Sequence, residues 1–353
     1  TEAVRSTTAA PVGKRQVEQL AGSAAVDFET FYAARARPVP GPDDVVVLSV
    51  DAKGIVMRPG ALRPATASAA QKATTKLQSR LSKGEKRNRK RMAEVGAVYT
   101  VAPVPRTPAD VLAGEGAEGR KEAPKAGVKW LTASVVDDAA SVVADVFDEA
   151  ERRDPAHERI WVALVDGNNH QIERIGAEAG RRGVQVSIVV DFIHVLEYVW
   201  RAAWCFFAEG DAAAEAWVHE KALAVLAGKA SIVAAAIRRK ATRSGLEEAQ
   251  RANADRAADY LLNKAVHLDY PTALANGWPI ATGVIEGACR HLVKDRMDIT
   301  GARWGLEGAE AVLKLRAVRA NGDFDDYWRF HLLQERRRVH ESRYADGVIP
   351  AAA

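Results

Sequence analysis

Three apolar runs in this chain each end on an aspartate, and this pattern limits the possible fold more than any other feature. The runs and their acids are Val45–Val50 before Asp51, Ile160–Val165 before Asp166, and Val184–Val190 before Asp191. Runs of this length and composition predict buried strands. A carboxylate at the end of a buried strand is costly to desolvate, so a metal ion is an obvious partner. Convergence of several such acids suggests a two-metal site for phosphoryl transfer.

The order of the predicted elements indicates an α/β chain with a mixed sheet. Short strands are expected over 45–50, 54–58 and 97–102, and these favour an antiparallel meander. Helices are expected over 17–33, 135–152, 169–182, 194–209 and 306–319. The strands before Asp166 and Asp191 alternate with helices, so they should be parallel. Residues 103–130 predict a loop, and residues 210–268 predict a block of helices.

The bulk composition favours a packed protein with one strongly basic segment. The 353 residues are 48% hydrophobic and 27% charged, with a net charge of +4. Nine basic residues and one acid lie between Lys72 and Arg91. Such a segment suits a polyanion such as DNA, although a solvated, flexible run is the plainer interpretation.

Several classes of protein are disfavoured by what the sequence lacks. Cys205 and Cys289 are the only cysteines, so no disulfide framework or Cys-rich zinc module is expected, which fits a reducing cytosol. No apolar stretch reaches the ~18 residues of a membrane span. Neither a G-x-S-x-G elbow nor a phosphate-binding P-loop occurs, which argues against a serine hydrolase and a P-loop nucleotidase.

A fourth acid, Glu286, opens a predicted helix near the end of the chain. Ile285, Cys289 and Leu292 would form its apolar face, and Glu286, Arg290 and Lys294 its polar stripe. The plain interpretation of that stripe is a solvated face with a weak Glu286–Arg290 pair. The functional interpretation places Glu286 at the metals and the two cations against DNA phosphates. Gly283 and Gly287 share one side, which should allow close approach to a sheet.

Plain alternatives remain for the other acids as well. Asp51 could be a turn residue before Gly54. Asp166 precedes Gly167, a strong turn signal, and could instead cap the next helix. Asp191 could likewise cap a helix, with His194 packed in its first turn, or the two could form a polar pair beside the metals.

Several segments resemble a bacterial insertion-sequence transposase of the DDE type, closest to the ISKra family and related to the Mutator-like group. The segments are Val47–Gly54, Ala163–Gln171, Val190–Tyr198, Gly277–His291 and Asp298–Trp304. The block that contains Glu286 is long and specific, whereas the single acids are not. The resemblance covers residues from about 12 to about 335.

The resemblance implies a fold, a reaction and a set of site residues. It implies a ribonuclease-H-like mixed sheet flanked by helices, with an all-α insertion. Asp51, Asp166 and Glu286 would be catalytic and hold two Mg²⁺ or Mn²⁺ ions, while Asp191 and His194 would support them. The similar families carry a Cys-or-Asp, two residues, His motif, and its match to Asp191 and His194 assigns the second catalytic acid to Asp166.

The expected partner is double-stranded DNA, both transposon ends and target. The residues expected to contact DNA are Lys83, Lys86, Arg87, Arg89, Lys90, Arg91, Arg290, Lys294 and Arg303. The protein is expected in the cytoplasm with the nucleoid, as a homodimer or larger assembly when two ends are synapsed. A structure-selective nuclease or resolvase on the same fold, or an inactive transposase that only binds DNA, are the alternatives.

The expected organisation has five parts. They are an N-terminal helical and linker segment (1–44), the first part of the core (45–209) with a basic loop (59–92), the all-α insertion (210–275), the last part of the core (276–322) and a C-terminal tail (323–353). Related proteins usually carry a DNA-recognition region before the first strand. With only about 44 residues there and no zinc-ligand spacing, this chain is expected to lack an end-binding module of its own.

Overall fold

The computed structural model describes residues 13–37, 39–72, 89–114, 116–299 and 301–343. One five-stranded mixed sheet, flanked by helices, forms the centre of the molecule. The strands are β1 (Val45–Val56), β2 (Lys90–Val101), β3 (Ala126–Ser134), β4 (Trp161–Val165) and β5 (Val186–Val190). The predicted mixed α/β class is therefore confirmed.

The strand order across the sheet is β3-β2-β1-β4-β5. β1, β2 and β3 form an antiparallel meander, whereas β4 and β5 run parallel to β1. β4 is buried at every position, and β1 is buried from Val45 to Val50. The apolar runs before Asp51 and Asp166 thus mark inner strands that are covered on both faces.

The helices and one π-helical segment account for most of the remaining described chain. They are α1 (Lys14–Ala25), α2 (Phe28–Ala34), α3 (Pro64–Lys72), α4 (Pro108–Leu112), α5 (Ala139–Arg153), α6 (Asn169–Arg182), α7 (Phe192–Ala203), α8 (Ala212–Leu226), α9 (Ala230–Arg243), α10 (Glu248–Asn263), α11 (Tyr270–Ala275), α12 (Gly283–Ala288), the π-helical Cys289–Lys294, α13 (Asp295–Met297), α14 (Leu306–Ala320) and α15 (Phe324–Val339). The predicted helix 169–182 matches α6 at both ends. Its cap is Asn168, whose side chain accepts from the His170 backbone N–H at 3.0 Å, so Asp166 is not the capping residue.

The first strand is longer than the apolar run predicts. Instead of two strands, 45–50 and 54–58, the chain forms the single strand β1, with Asp51 near its middle. β2 pairs with it along its whole length, from Val45 opposite Val101 to Val56 opposite Lys90. This ladder carries the strand through the polar stretch after Val50, because backbone hydrogen bonds do not depend on the side chains.

An edge strand, β3, occupies part of the region expected to be a loop. It pairs antiparallel with β2, and only its second half, from Trp130 to Ser134, is buried. Its exposed first half contains Gly127 and Lys129, which weaken the strand signal. An edge strand of this kind is hard to distinguish from a loop by composition.

The C-terminal segment, expected to be a tail, contains the helix α15. Tyr327 is fully buried, and its hydroxyl donates to the backbone oxygen of Ala24 at 2.6 Å. Tyr32 in α2 donates in turn to the Asp323 carboxylate at 2.9 Å. The N-terminal helices and α15 therefore pack together against one edge of the core.

The predicted block of helices after β5 is confirmed. Residues 212–275, all of which the structure describes, contain α8 to α11, one 3₁₀ turn and no strand. Small buried residues such as Ala234, Ala241, Ala254 and Ala258 line the contact between α9 and α10 and allow the two helices to approach closely.

Across the described ranges, none of the helices has both the length and the apolar character that a membrane crossing requires.

Candidate functional site

The strand register brings three of the predicted acids to the same level of the sheet. Ser49 of β1 pairs with Leu164 of β4, and Val165 of β4 pairs with Val190 of β5. If the first register is extended by two residues and the second by one, Asp51 aligns with Asp166 and Asp166 aligns with Asp191. Neighbouring strands lie ~4.8 Å apart, so the three residues follow one another across adjacent strands.

Asp51 lies half-buried in β1 and is tied to the segment that follows Glu286. Its Oδ1 accepts from the Ala52 backbone N–H at 2.7 Å, and its Oδ2 accepts from the Cys289 thiol at 3.2 Å. Burial, together with the nearby charge of Asp51, raises the pKa of Cys289 well above its usual range. The thiol therefore remains a hydrogen-bond donor to this carboxylate at neutral pH.

Asp166 lies in the loop after β4, and the helical insertion holds that loop from outside. The Tyr260 hydroxyl in α10 donates to the Asp166 backbone oxygen at 3.0 Å. The Asp166 side chain accepts from the Asn168 N–H at 2.8 Å. Gly167 has a positive φ of 91°, and a Cβ there would lie 2.4 Å from the Tyr260 hydroxyl. Only glycine therefore fits beneath this tyrosine.

Lys264, just after α10, provides a second contact between the insertion and this loop. Its ammonium group donates to the Asn169 side chain. Burial lowers the pKa of Lys264, although Asp166 and Glu173 lie near enough to oppose that shift. The sequence alone does not single out Tyr260 or Lys264, because nothing local in α10 marks a residue that contacts a loop about 95 positions earlier.

Asp191 is fully buried and has the capping role that the plain interpretation gives it. Its Oδ1 accepts from the Ile193 N–H at 2.8 Å at the start of α7, and its Oδ2 accepts from the Thr282 hydroxyl. Its own N–H donates to the Val165 oxygen at 2.8 Å. His194 lies half-buried in the first turn of α7.

Glu286 is exposed on α12, and Thr282 connects it with Asp191. The Thr282 hydroxyl lies 3.3 Å from Glu286 Oε1 while it also contacts the Asp191 carboxylate. The α12 and π-helical segment therefore contacts Asp51 through Cys289 and Asp191 through Thr282. Within the described part of the chain, however, no group of three or more His, Cys, Asp or Glu side chains is tight enough to hold a metal ion.

The predicted faces of the Glu286 helix are confirmed, but the role expected for its glycines is wrong. Ile285, Cys289 and Leu292 are buried, and the polar stripe faces solvent. Gly283 and Gly287 have no atom within 4 Å of an added Cβ, so they do not lie against the sheet. Both glycines border an open cleft instead, because the larger apolar residues on the opposite side pack into the core.

The basic residues expected to contact DNA have different surroundings. Arg290, Lys294 and Arg303 are exposed, and Arg290 lies 3.8 Å from Asp295, which takes the place of the expected partner Glu286. The Arg91 guanidinium donates to the Val135 backbone oxygen at 2.6 Å and so helps to hold β2 to the loop after β3.

Two further candidates in the basic segment, Arg89 and Lys90, lie at the start of β2 and are half-buried and exposed, respectively. Lys83, Lys86 and Arg87 lie outside the described residues.

Comparison of the chain with protein-family models, curated proteins and solved structures gave no match. Function must therefore be inferred from the residues and geometry of the molecule itself.

Proposed function

We propose that the protein is a DNA transposase with a ribonuclease-H-like core, which cleaves element ends and joins them to target DNA. The observation that carries the proposal is the parallel pairing of β1 with β4, which reaches Ser49 and Leu164, two residues before Asp51 and Asp166. A mixed sheet in the order β3-β2-β1-β4-β5, with an antiparallel meander followed by two parallel strands, is the arrangement expected of such a core. The helical block before Glu286 further supports the proposal.

The chemistry of the acids suits a divalent cation. Mg²⁺ is bound by carboxylate oxygens, and Asp51, Asp166 and Glu286 offer such oxygens from half-buried and exposed positions. These three residues would hold two ions, which when bound would activate the attacking hydroxyl and stabilise the leaving oxygen. Because no cluster of three is formed among the described residues, the Asp166 side chain and α12 would have to move to complete the set.

The protein's own residues position these acids. Cys289 orients the Asp51 carboxylate, and Tyr260 fixes the backbone of Asp166. Asp191 and Thr282 fasten the start of α7 to the segment before Glu286. Exposed Arg290 and Lys294 lie on the same segment as Glu286, where they would face the phosphates of a bound strand.

The test is cleavage of supercoiled plasmid in Mg²⁺ or Mn²⁺ by wild type and by Asp51→Asn, Asp166→Asn and Glu286→Gln. Each variant should lose nicking almost completely while it retains DNA affinity, because the carboxylates serve the chemistry rather than binding. The exposed acids Asp325→Asn and Glu220→Gln are matched controls and should nick like wild type. Undiminished nicking by Asp51→Asn would contradict the proposal.

A DNA-binding protein without catalysis is the second candidate. It is favoured by the Cys289 thiol on Asp51 and by the lack of an assembled ligand cluster among the described residues. In that case, wild type would bind DNA equally well with and without Mn²⁺ and would nick nothing. If nicking is found, a pre-cleaved end separates transposase from nuclease, because only a transposase joins it to a second duplex.

A further inference from the structure

An open cleft lies beside the Glu286 helix, between β3, the α12 and π-helical segment, and α14. Its volume is about 650 Å³, within the range of pockets that hold small molecules. Lys129, Arg316 and Arg319 supply its charges, and we call it the arginine cleft. It is separate from the acids described above, because Cys289 and Ile285 face the opposite side of the same segment.

The arginine cleft is lined by cations and by no carboxylate among the described residues. Lys129 and Arg319 are exposed and form no ion pair with any residue that the structure describes. His291 also lines the cleft and pairs with Asp295 at 3.1 Å. Positive charge without a local partner attracts an anion.

Arg316 is fixed in place by the π-helical turn. Its Nε donates to the Leu292 oxygen at 3.0 Å, and its Nη2 donates to the His291 oxygen. Because a guanidinium has five N–H groups, donors remain for a ligand. Burial lowers the pKa of Arg316, and the nearby charges of Arg296 and Arg319 act in the same direction, while Asp295 opposes them.

The wall formed by the helix leaves space for a ligand. Gly283 and Gly287 have nothing within 4 Å of an added Cβ, and Val284 and Leu131 add apolar surface nearby. A site for an anionic group beside an apolar, sterically open wall matches a nucleotide, whose phosphate is charged and whose base has a flat face of low polarity.

We infer that the arginine cleft binds a phosphate-bearing nucleotide unit, with its phosphate at Arg316, Arg319 and Lys129 and its sugar or base over Gly283 and Gly287. The unit can come from a DNA strand or from a free nucleotide. The inference rests on the proposed function only for the first of these sources.

The sharpest test fills the cleft without disturbing the fold. Gly287→Leu adds a side chain whose Cβ has no protein atom within 4 Å, in a helix that favours leucine over glycine. Gly176→Leu is the matched control, since Gly176 is an exposed helical glycine of α6 with the same free space. A second variant, Lys129→Gln with Arg319→Gln, removes two exposed charges. Circular dichroism and thermal unfolding show that each variant is folded.

Binding is measured without divalent metal, by anisotropy with a labelled duplex and by calorimetry with adenosine monophosphate. The inference predicts that Gly287→Leu and the double variant each raise the Kd about tenfold for at least one probe, while Gly176→Leu leaves it unchanged. Weaker binding of the duplex by the cleft variants identifies DNA as the source of the nucleotide unit. Weaker binding of the nucleotide alone identifies a free ligand. Wild-type affinity of both cleft variants for both probes, or no binding by wild type, overturns the inference.

The result of these binding measurements is independent of the result of the nicking assay. If wild type nicks no DNA, or if the Asp51, Asp166 and Glu286 variants nick as well as wild type, but Gly287→Leu still weakens binding, the proposed catalysis fails and the cleft assignment stands. If nicking depends on the acids but the cleft variants bind both probes normally, the proposed catalysis stands and the cleft assignment fails.

Discussion

At the scale of single residues, the contact between Gly167 and Tyr260 is the most constrained feature near the candidate site. Glycine is needed at position 167 for two reasons. Its φ is positive, and the Tyr260 hydroxyl occupies the space where a Cβ would lie. The sequence predicts a catalytic acid at Asp166 and leaves a turn or a helix cap as plain alternatives, and the structure adds why Gly167 cannot carry a side chain. The residue that excludes a side chain, Tyr260, lies in a helix 94 positions after Asp166.

Gly167→Ala should therefore destabilise the protein by about 2–4 kcal/mol, because it adds steric conflict to backbone strain. Gly183→Ala is the control: its φ is 68°, but nothing lies within 4 Å of the added Cβ, so only about 1 kcal/mol is expected. Urea unfolding of both variants measures the difference.

In a Tyr260→Phe background, the cost of Gly167→Ala should fall, because the closest atom is the hydroxyl oxygen. An unchanged cost in that background would show that the two residues do not compete for space.

At the scale of elements, Asp27 joins the N-terminal helices to α15. Arg338 donates to both of its oxygens, at 2.6 and 2.7 Å, and His331 lies 2.7 Å from Oδ2. The hydrogen bonds from Arg338 hold the pKa of Asp27 below its ordinary value, with burial acting against them. This carboxylate fixes the turn between α1 and α2 against the C-terminal helix.

Asp27→Asn should lower the free energy of unfolding by about 1–3 kcal/mol at neutral pH. A folded-state pKa below 3.8 means that the ionised group stabilises the fold above that pH and that this contribution is lost as the pH falls through the lower folded-state value. The difference between wild type and variant in the free energy of unfolding, measured with urea, should therefore shrink as the pH is lowered below 3.8.

Asp326→Asn serves as the control for this pH effect. Asp326 also pairs with arginines, but its side chain is 50% exposed, so its removal should change the free energy of unfolding much less than Asp27→Asn does at neutral pH. A difference for Asp27→Asn that stays constant with pH would contradict the role assigned to its charge.

At the scale of the whole molecule, the basic residues expected to contact DNA are spread over two separate regions of the sequence. Arg290, Lys294 and Arg303 lie near the Glu286 helix, while the segment around Lys72–Arg91 precedes and begins β2. The two regions meet at the end of β1, because the Met57 N–H donates to the Arg89 oxygen at 2.9 Å and Met57 also pairs with Trp304.

Replacement of Arg290, Lys294 and Arg303 by Gln should weaken duplex binding. The slope of log affinity against log salt concentration should become shallower by ~0.9 for each DNA phosphate that is no longer neutralised. The control replaces three exposed arginines of the helical block by Gln and so makes the same change in net charge. They are Arg239, Arg243 and Arg256. Anisotropy titrations at several salt concentrations measure both sets. Equal weakening in the two sets would indicate a general charge effect and contradict a specific DNA surface.

The sequence by itself determined the mixed α/β class, the inner strands, the helical block and the buried face of the Glu286 helix. Each of these follows from apolar periodicity, because a segment buried on one or both sides must be apolar there in any fold. The alignment of Asp51 with Asp166 also follows, once their two strands are neighbours and parallel.

Only the tertiary structure decided the full length of β1, the edge strand β3, the packing of α15 and the partners of each acid. β1 continues past Val50 because β2 supplies its hydrogen bonds, and the Asp166 loop is held by Tyr260 from a distant helix. Gly283 and Gly287 face a cleft, since packing of Ile285 and Cys289 sets the rotation of their helix. Such contacts depend on partners far away in the chain, and no local pattern encodes them.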